Sequence, residues 1–271
     1  VTSEETYTLP ATGADRFRVF VLPIPVDTRR YVRGVEFRPA DPRVTHHANI
    51  LIDRTSTSRE RNLADPALGE SGLLAATTEY PSGHLLGWTP GRPDPLLPND
   101  LAWPLDAGTD LVVQLHMVPD GTPRPVRFSI GLYLTSAPPT RTPTVLRLGR
   151  RDIDIPAGER EYVTADAYIM PVDAAVLALK PHAHYRARTI AVSATRPDGT
   201  ATSLLTIDDW DFRWQHVFRY VEPVRLPRGT RITMRYTYEN SAASRRNPER
   251  PPRRVLWGPR STDEMGDLWL P

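Results

Sequence analysis

Cysteine is absent from all 271 residues. That one absence removes disulfides, thiolate metal ligands, iron–sulfur clusters and thiol nucleophiles together. Long apolar runs are missing as well: none approaches the roughly 20 residues a membrane-spanning helix needs, so no transmembrane segment is expected. Val1 opens without a charged-then-apolar leader, and the segment reads as a mature chain or one excised from something longer. Neither sign of charge dominates. Lys and Arg number 34 against 32 Asp and Glu, a formal charge of +2, and the pI of about 9.0 rests on a small arginine surplus. A nucleic-acid partner is not implied. The one locally basic run, Ser244 to Arg254, holds five arginines but also three prolines. It suits a solvated loop and lacks the interleaved aromatics of a strand-binding groove. Apolar periodicity of 3.6 residues over a helical length is also missing.

What the chain does have is 39% hydrophobic residues, including 6 Trp, 10 Tyr and 6 Phe, enough to build real cores. Its 29 prolines and 16 glycines punctuate short β-like runs, which predicts an all-β protein. The candidate strands are Phe17–Leu22, Val32–Arg38, Val44–Asp53, Asp110–Met117, Val126–Leu134, Tyr162–Ile169, Ala174–Lys180, Arg186–Thr195, Phe212–Tyr220 and Arg231–Glu239. Asp198-Gly199 predicts a tight hairpin between Arg186–Thr195 and Ala201–Ile207. The length favours two domains. The stretch Ser136-Ala-Pro-Pro-Thr-Arg-Thr-Pro-Thr144, poor in apolar residues, suits a semi-rigid connector. A boundary there gives residues 1–138 and 139–271. Pro104-Leu-Asp-Ala-Gly-Thr109 and Leu226-Pro-Arg-Gly-Thr230 lead into strands at comparable places in the two halves. Two tandem antiparallel β-sandwiches, jelly-roll-like, are the expected architecture.

Of seven histidines, four fall in two tight clusters, His46-His47 and His182-Ala-His184, one in each expected domain. In a strand, residues i and i+2 share a face, so His182 and His184 can present two imidazoles to one ion; paired surface histidines are the plain alternative. Adjacent residues point to opposite faces, so His46 and His47 need a bulge or twist before they can share an ion. His116 lies in the apolar strand Leu111–Met117, where a buried imidazole needs a hydrogen-bond or metal partner. Without thiolates, imidazole plus thioether is the softest ligand set the chain can assemble, and it suits copper, above all Cu(I). Met265 is a candidate thioether because it sits in the polar stretch Ser261–Asp267, whereas Met170 and Met234 fall in strand-like runs; Met117 also borders a loop, and only the resemblance described next sets it aside. His84 reads as an exposed loop histidine, and His216 as part of an aromatic strand with Trp214, Phe218 and Tyr220.

Val44-Thr-His-His-Ala48, Val113-Gln-Leu-His-Met117, Pro181-His-Ala-His-Tyr185 and Thr262-Asp-Glu-Met265 occur in an order that resembles the type II copper, ascorbate-dependent monooxygenases. These are the family of peptidylglycine α-hydroxylating monooxygenase and dopamine β-monooxygenase. Leu86–Gly91 and Asp211–Gln215 are similar to the bacterial branch, whose members are often joined to other redox modules. The resemblance implies two copper ions: an electron-storing one on His46, His47 and His116, and an oxygen-binding one on His182, His184 and Met265. It further implies hydroxylation of an activated C–H bond of a small organic substrate with O2, with ascorbate or another one-electron donor supplying electrons. A secreted or periplasmic location, a redox partner domain or protein, and a cleft between the domains as the active site follow from the same likeness. A copper-binding or electron-transfer protein of the same fold without catalysis is the alternative. At positions that hold a peptide carboxylate in the peptidylglycine enzymes, this chain has Lys180, Asp267 and Trp269. Lys180 still attracts an anion, whereas Asp267 repels one, so C-terminal glycine peptides are not the expected substrate.

Overall fold

The structure is a computed structural model that describes residues 1–3, 7–65, 69, 72–81, 84–90, 96–97, 100–141 and 143–271. Gly91 of the Leu86–Gly91 segment, Thr142 of the proline-rich stretch, and Ser82 and Gly83 before His84 lie outside the described residues. The chain is nearly all β, built from antiparallel sheets, with one short helix among the described residues. No described helix is long and apolar enough to cross a membrane. Contacts divide it into two units, Val1–Thr144 and Val145–Pro271.

In the first unit a four-stranded sheet runs in the order β2 (Arg16–Pro23), β7 (Asp110–Met117), β4 (Thr45–Asp53), β5 (Leu86–Trp88). A three-stranded sheet holds β6 (Trp103–Leu105), β3 (Arg30–Pro39) and β9 (Phe128–Thr135); β1 (Tyr7–Leu9) pairs with β8 (Arg124–Val126). Because successive side chains alternate faces, β7 is split in two. Leu111, Val113, Leu115 and Met117 join the main core with Phe20, Ile50 and residues of the second sheet such as Val35 and Phe37. Val112 faces the other way, into a satellite cluster with Val19 and Leu51. His116 belongs to that second face, so the strand carries its histidine away from the main core. The helix α1 (Thr57–Ala64) was not expected: Leu63 and Ala64 are its only apolar residues, so no apolar stripe announces it. The buried Asp53 holds its start instead, accepting the backbone N–H groups of Thr55 and Ser58, each at 2.8 Å.

The second unit contains a sheet in the order β10 (Leu146–Gly149), β19 (Gly266–Leu270), β13 (Ala174–Ala183), β16 (Phe218–Leu226). A second runs β12 (Tyr162–Ile169), β17 (Arg231–Tyr238), β14 (Ala187–Thr195), β15 (Ala201–Ile207); β11 (Asp154–Ile155) pairs with β18 (Val255–Leu256). Its core gathers Leu148, Leu179, Ala183 and Leu268 from the first sheet with Ile190, Ile232, Met234 and Tyr236 from the second. The Asp198-Gly199 hairpin forms between β14 and β15, with Gly199 at φ 86°, a left-handed conformation that favours glycine. The two similar loops also match in detail. Gly108 and Gly229 sit at φ 80° and 85°, and the threonine after each is buried at the head of its strand.

The expected strand Phe212–Tyr220 is displaced: pairing begins at Phe218 and runs to Leu226. Asp211 is the reason, since its carboxylate accepts the Arg213 N–H and its carbonyl the Trp214 N–H, folding the intervening residues into a turn. His216 therefore lies outside any strand, although it is buried and packs on Trp214 with ring centroids 4.2 Å apart. His84 is also buried rather than exposed, its Nδ1 3.0 Å from the Pro81 carbonyl oxygen.

Candidate functional site

The geometric obstacle at His46-His47 is removed by an irregularity in β4. Thr45 pairs with Met117 and His47 with His116, so two steps along β4 are matched by one along β7, and His46 is the inserted residue of a bulge. His47 and His116 are direct cross-strand neighbours on the face turned from the core, and the bulge swings His46 to them. The Nδ1 atoms of His46 and His47 stand 3.1 Å apart. One ligand nitrogen from each of the three rings can be chosen so that all lie within 4.8 Å of one another. Two imidazoles on one tetrahedral ion, with bonds of about 2.0–2.1 Å as for zinc, place their nitrogens about 3.3 Å apart. Three converging imidazoles suit copper or zinc and not a hard cation.

His116 is held on two sides. Phe17, its direct partner on β2, stacks on the ring with centroids 4.2 Å apart and planes 9° from parallel. Asp15 Oδ2 lies 2.9 Å from Nε2. That contact keeps the Asp15 carboxyl below its ordinary range. A carboxylate only accepts, so Nε2 carries the hydrogen and Nδ1 the lone pair. Neither Asp15 nor Phe17 was singled out in the sequence, where nothing marks a segment about 100 residues from His116 as its neighbour.

At the second cluster, β13 carries His182, and His184 follows one residue past its end. Their ring centroids are 5.1 Å apart. Pro181 breaks no bond to β16, because that pairing stops at Leu179. His182 Nδ1 lies 2.5 Å from Gln215 Oε1, and Gln215 Nε2 donates to the Phe212 carbonyl, which settles which way the amide points. His184 Nδ1 faces the Asp263 carbonyl oxygen at 3.1 Å. Both rings therefore carry the hydrogen on Nδ1 and present Nε2 as donor atom. Burial depresses both imidazoles, His182 to about 4 and His184 to about 3, so they are neutral at neutral pH as metal ligation requires.

Met265 stands immediately before β19, one step beyond the Ala183–Gly266 pair, which places its backbone beside His184. A single buried carboxylate joins the two. Glu264 Oε2 accepts the backbone N–H of His184 at 2.9 Å and of Met265 at 3.2 Å, and Oε1 that of Arg186 at 2.6 Å. Burial pushes Glu264 up to about 7, against three N–H donors that favour its charged form. Behind it the fully buried Arg186 donates to Asn240 Oδ1, the Thr262 carbonyl and Glu249. Glu264 occurs in the Asp-Glu-Met motif and Gln215 closes the Asp211–Gln215 segment, but Arg186 and Asn240 carry no sequence signal for this role.

Lys180, Asp267 and Trp269 share one sheet face with His182. Gly149, Asp267 and His182 form one row across β10, β19 and β13, and Arg147, Trp269 and Lys180 form the next. Trp269 lies between two cations, Arg147 Cζ 5.4 Å and Lys180 Nζ 5.7 Å from its ring centroid. The buried Asp267 receives Arg147 Nη2 at 2.9 Å, so its charge is already matched within the sheet and the repulsion expected of it is offset. Arg147 is the member of this face that the sequence did not reveal.

No protein-family model matches the chain, and no curated protein matches it. Among solved structures it is similar to a two domain protein of unknown function from Bacteroides fragilis. The likeness covers 95% of this chain and 94% of that one, at 8% identity and a TM-score of 0.24.

Proposed function

We propose that the chain is a copper-dependent monooxygenase, related to the type II copper, ascorbate-dependent enzymes, that hydroxylates an activated C–H bond of a small organic substrate. The observation that carries this reading is the bulge that gathers His46, His47 and His116 on one sheet face. The bulge sets two consecutive imidazoles against a third on the face turned from the main core, which regular pairing of β4 with β7 would not do. The second set, His182, His184 and Met265, adds a thioether, which favours copper over zinc. Bound copper would supply electron storage at the first set and oxygen-dependent hydroxylation at the second, with O2 and a donor such as ascorbate as co-substrates. The residues of the chain fix which nitrogens face the metals: Asp15 at His116, Gln215 at His182 and the Asp263 carbonyl at His184. Glu264 sets the backbone positions of His184 and Met265. The row Arg147–Trp269–Lys180 is the surface a substrate meets beside His182. Tandem antiparallel sandwiches, one per unit, are the architecture that accompanies this reading; core clusters that draw residues from both larger sheets of a unit support it.

Copper reconstitution tests it. Two coppers per chain are expected, with ascorbate-dependent oxygen consumption on a panel of benzylic and amine substrates. Met265→Ala is expected to abolish turnover while His46, His47 and His116 keep their copper. Less than about one copper per chain would end the proposal, since imidazole-rich sites bind copper tightly. Two bound coppers with no turnover on any substrate would point instead to electron transfer.

A further inference from the structure

We infer that Asp15 is the positioning residue of the first centre, setting the face and the donor strength of His116; this rests on the metal reading above. Three observations carry it. First, Asp15 Oδ2 contacts Nε2, the ring nitrogen that the cluster does not use once Nε2 carries the hydrogen. Second, Asp15 lies outside the group of His46, His47 and His116, whose ligand atoms all lie within 4.8 Å of one another. Third, Asp15 and Phe17 act from one short segment on one ring. The residue in β2 stacks on the face of the imidazole, and the residue just before β2 holds its edge. Stacking alone fixes the plane of a ring but not which edge points inward, because a half-turn about the Cβ–Cγ bond leaves the plane unchanged. The hydrogen bond at Nε2 removes that ambiguity. A carboxylate acceptor also pulls electron density through the N–H bond into the ring and makes Nδ1 a stronger donor.

Asp15→Ala and Asp15→Asn in the full chain test this. Asn keeps an acceptor for Nε2–H without the charge, so it preserves the fold while weakening the effect. Copper affinity, read by competition with a Cu(I) chelator, is expected to fall roughly 10–100-fold at the first centre in Asp15→Ala, less in Asp15→Asn, and not at all at the second. The reduction potential of the first copper is expected to rise in the same order, because a weaker donor stabilises Cu(II) less. A merely structural role for Asp15 would lower the melting temperature of the metal-free protein and leave that potential unmoved. Wild-type affinity and potential in both variants would overturn the inference. So would an oxygen ligand in the wild-type X-ray absorption spectrum that vanishes in Asp15→Asn, which would make Asp15 a ligand. If wild type and His46→Ala bind equal copper, the metal reading itself fails and takes this inference with it, an outcome distinct from the other two.

Discussion

Glu264 accepts three backbone N–H groups with one carboxylate and is fully buried while doing so. Glutamine in its place keeps the shape but turns an N–H group toward at least one backbone N–H, leaving a buried donor without an acceptor. Such a loss costs about 1–3 kcal/mol. Glu264→Gln is therefore expected to lower the unfolding free energy of the metal-free protein by that amount, read as a lower denaturant midpoint, and to weaken copper binding at His184 and Met265 but not at His116. An unchanged midpoint would show that the carboxylate is dispensable. The same region makes stability depend on pH. His182 and His184 fall from 6.5 to about 4 and about 3 on folding, so below pH 6.5 the unfolded chain binds protons that the folded one refuses. Their contribution is present above pH 6.5 and is lost as pH falls toward 4. Glu264 rises from 4.5 to about 7, so between those values it works in the opposite sense, favouring the folded state at lower pH. Two imidazoles against one carboxyl leave a net loss on acidification, steepest below pH 4.5 where Glu264 no longer offsets it. Denaturant midpoints of metal-free protein at several pH values should follow this curve, and His182→Gln combined with His184→Gln should flatten it. An equally steep acid limb in that double variant would show that other groups are responsible.

The bulge in β4 is a one-residue insertion with a definable inverse. Deleting His46 would make Thr45–Met117 and His47–His116 successive pairs of a regular ladder. The deletion variant is expected to unfold in a single cooperative transition near the wild-type midpoint while losing copper at the first centre. Collapse of the fold instead would mean that the bulge serves packing. The need for such a bulge was legible in the sequence, because two adjacent histidines in a strand can reach one ion only that way. Its position was not, since register depends on β7, more than 60 residues away. Strands with clean alternation, such as Arg231–Tyr238, or bounded by turn residues, such as Asp110–Met117, were legible almost to the residue. Phe212–Tyr220 misled because Trp214, His216 and Phe218 alternate like a strand while Asp211 folds the chain into a turn. The polar helix α1 was invisible for lack of an apolar stripe. The candidate ligand residues were singled out by type and spacing. Asp15 and Arg147 were not, because a residue that acts on a candidate site from a distant segment leaves no local pattern.

Each unit has its own core, and each candidate metal set lies within one unit, His46, His47 and His116 in the first and His182, His184 and Met265 in the second. Fragments 1–144 and 145–271 are therefore expected to fold separately, each with its own cooperative transition, and to bind one copper apiece. Copper bound only by the intact chain would show that neither set is sufficient alone. In the second unit, two tyrosines of β17 reach across the core to the opposite sheet: Tyr236 Oη donates to the Asp267 carbonyl at 2.6 Å and Tyr238 Oη to the Met265 carbonyl at 2.9 Å. Met265 is thus tied through its backbone to the strand beneath as well as to its own sheet, and that backbone cannot move away without parting the two layers. If copper binds there as proposed, its slow exchange should track the global opening of the unit, and amide hydrogens of β17 and β19 should exchange on the same clock as the ion.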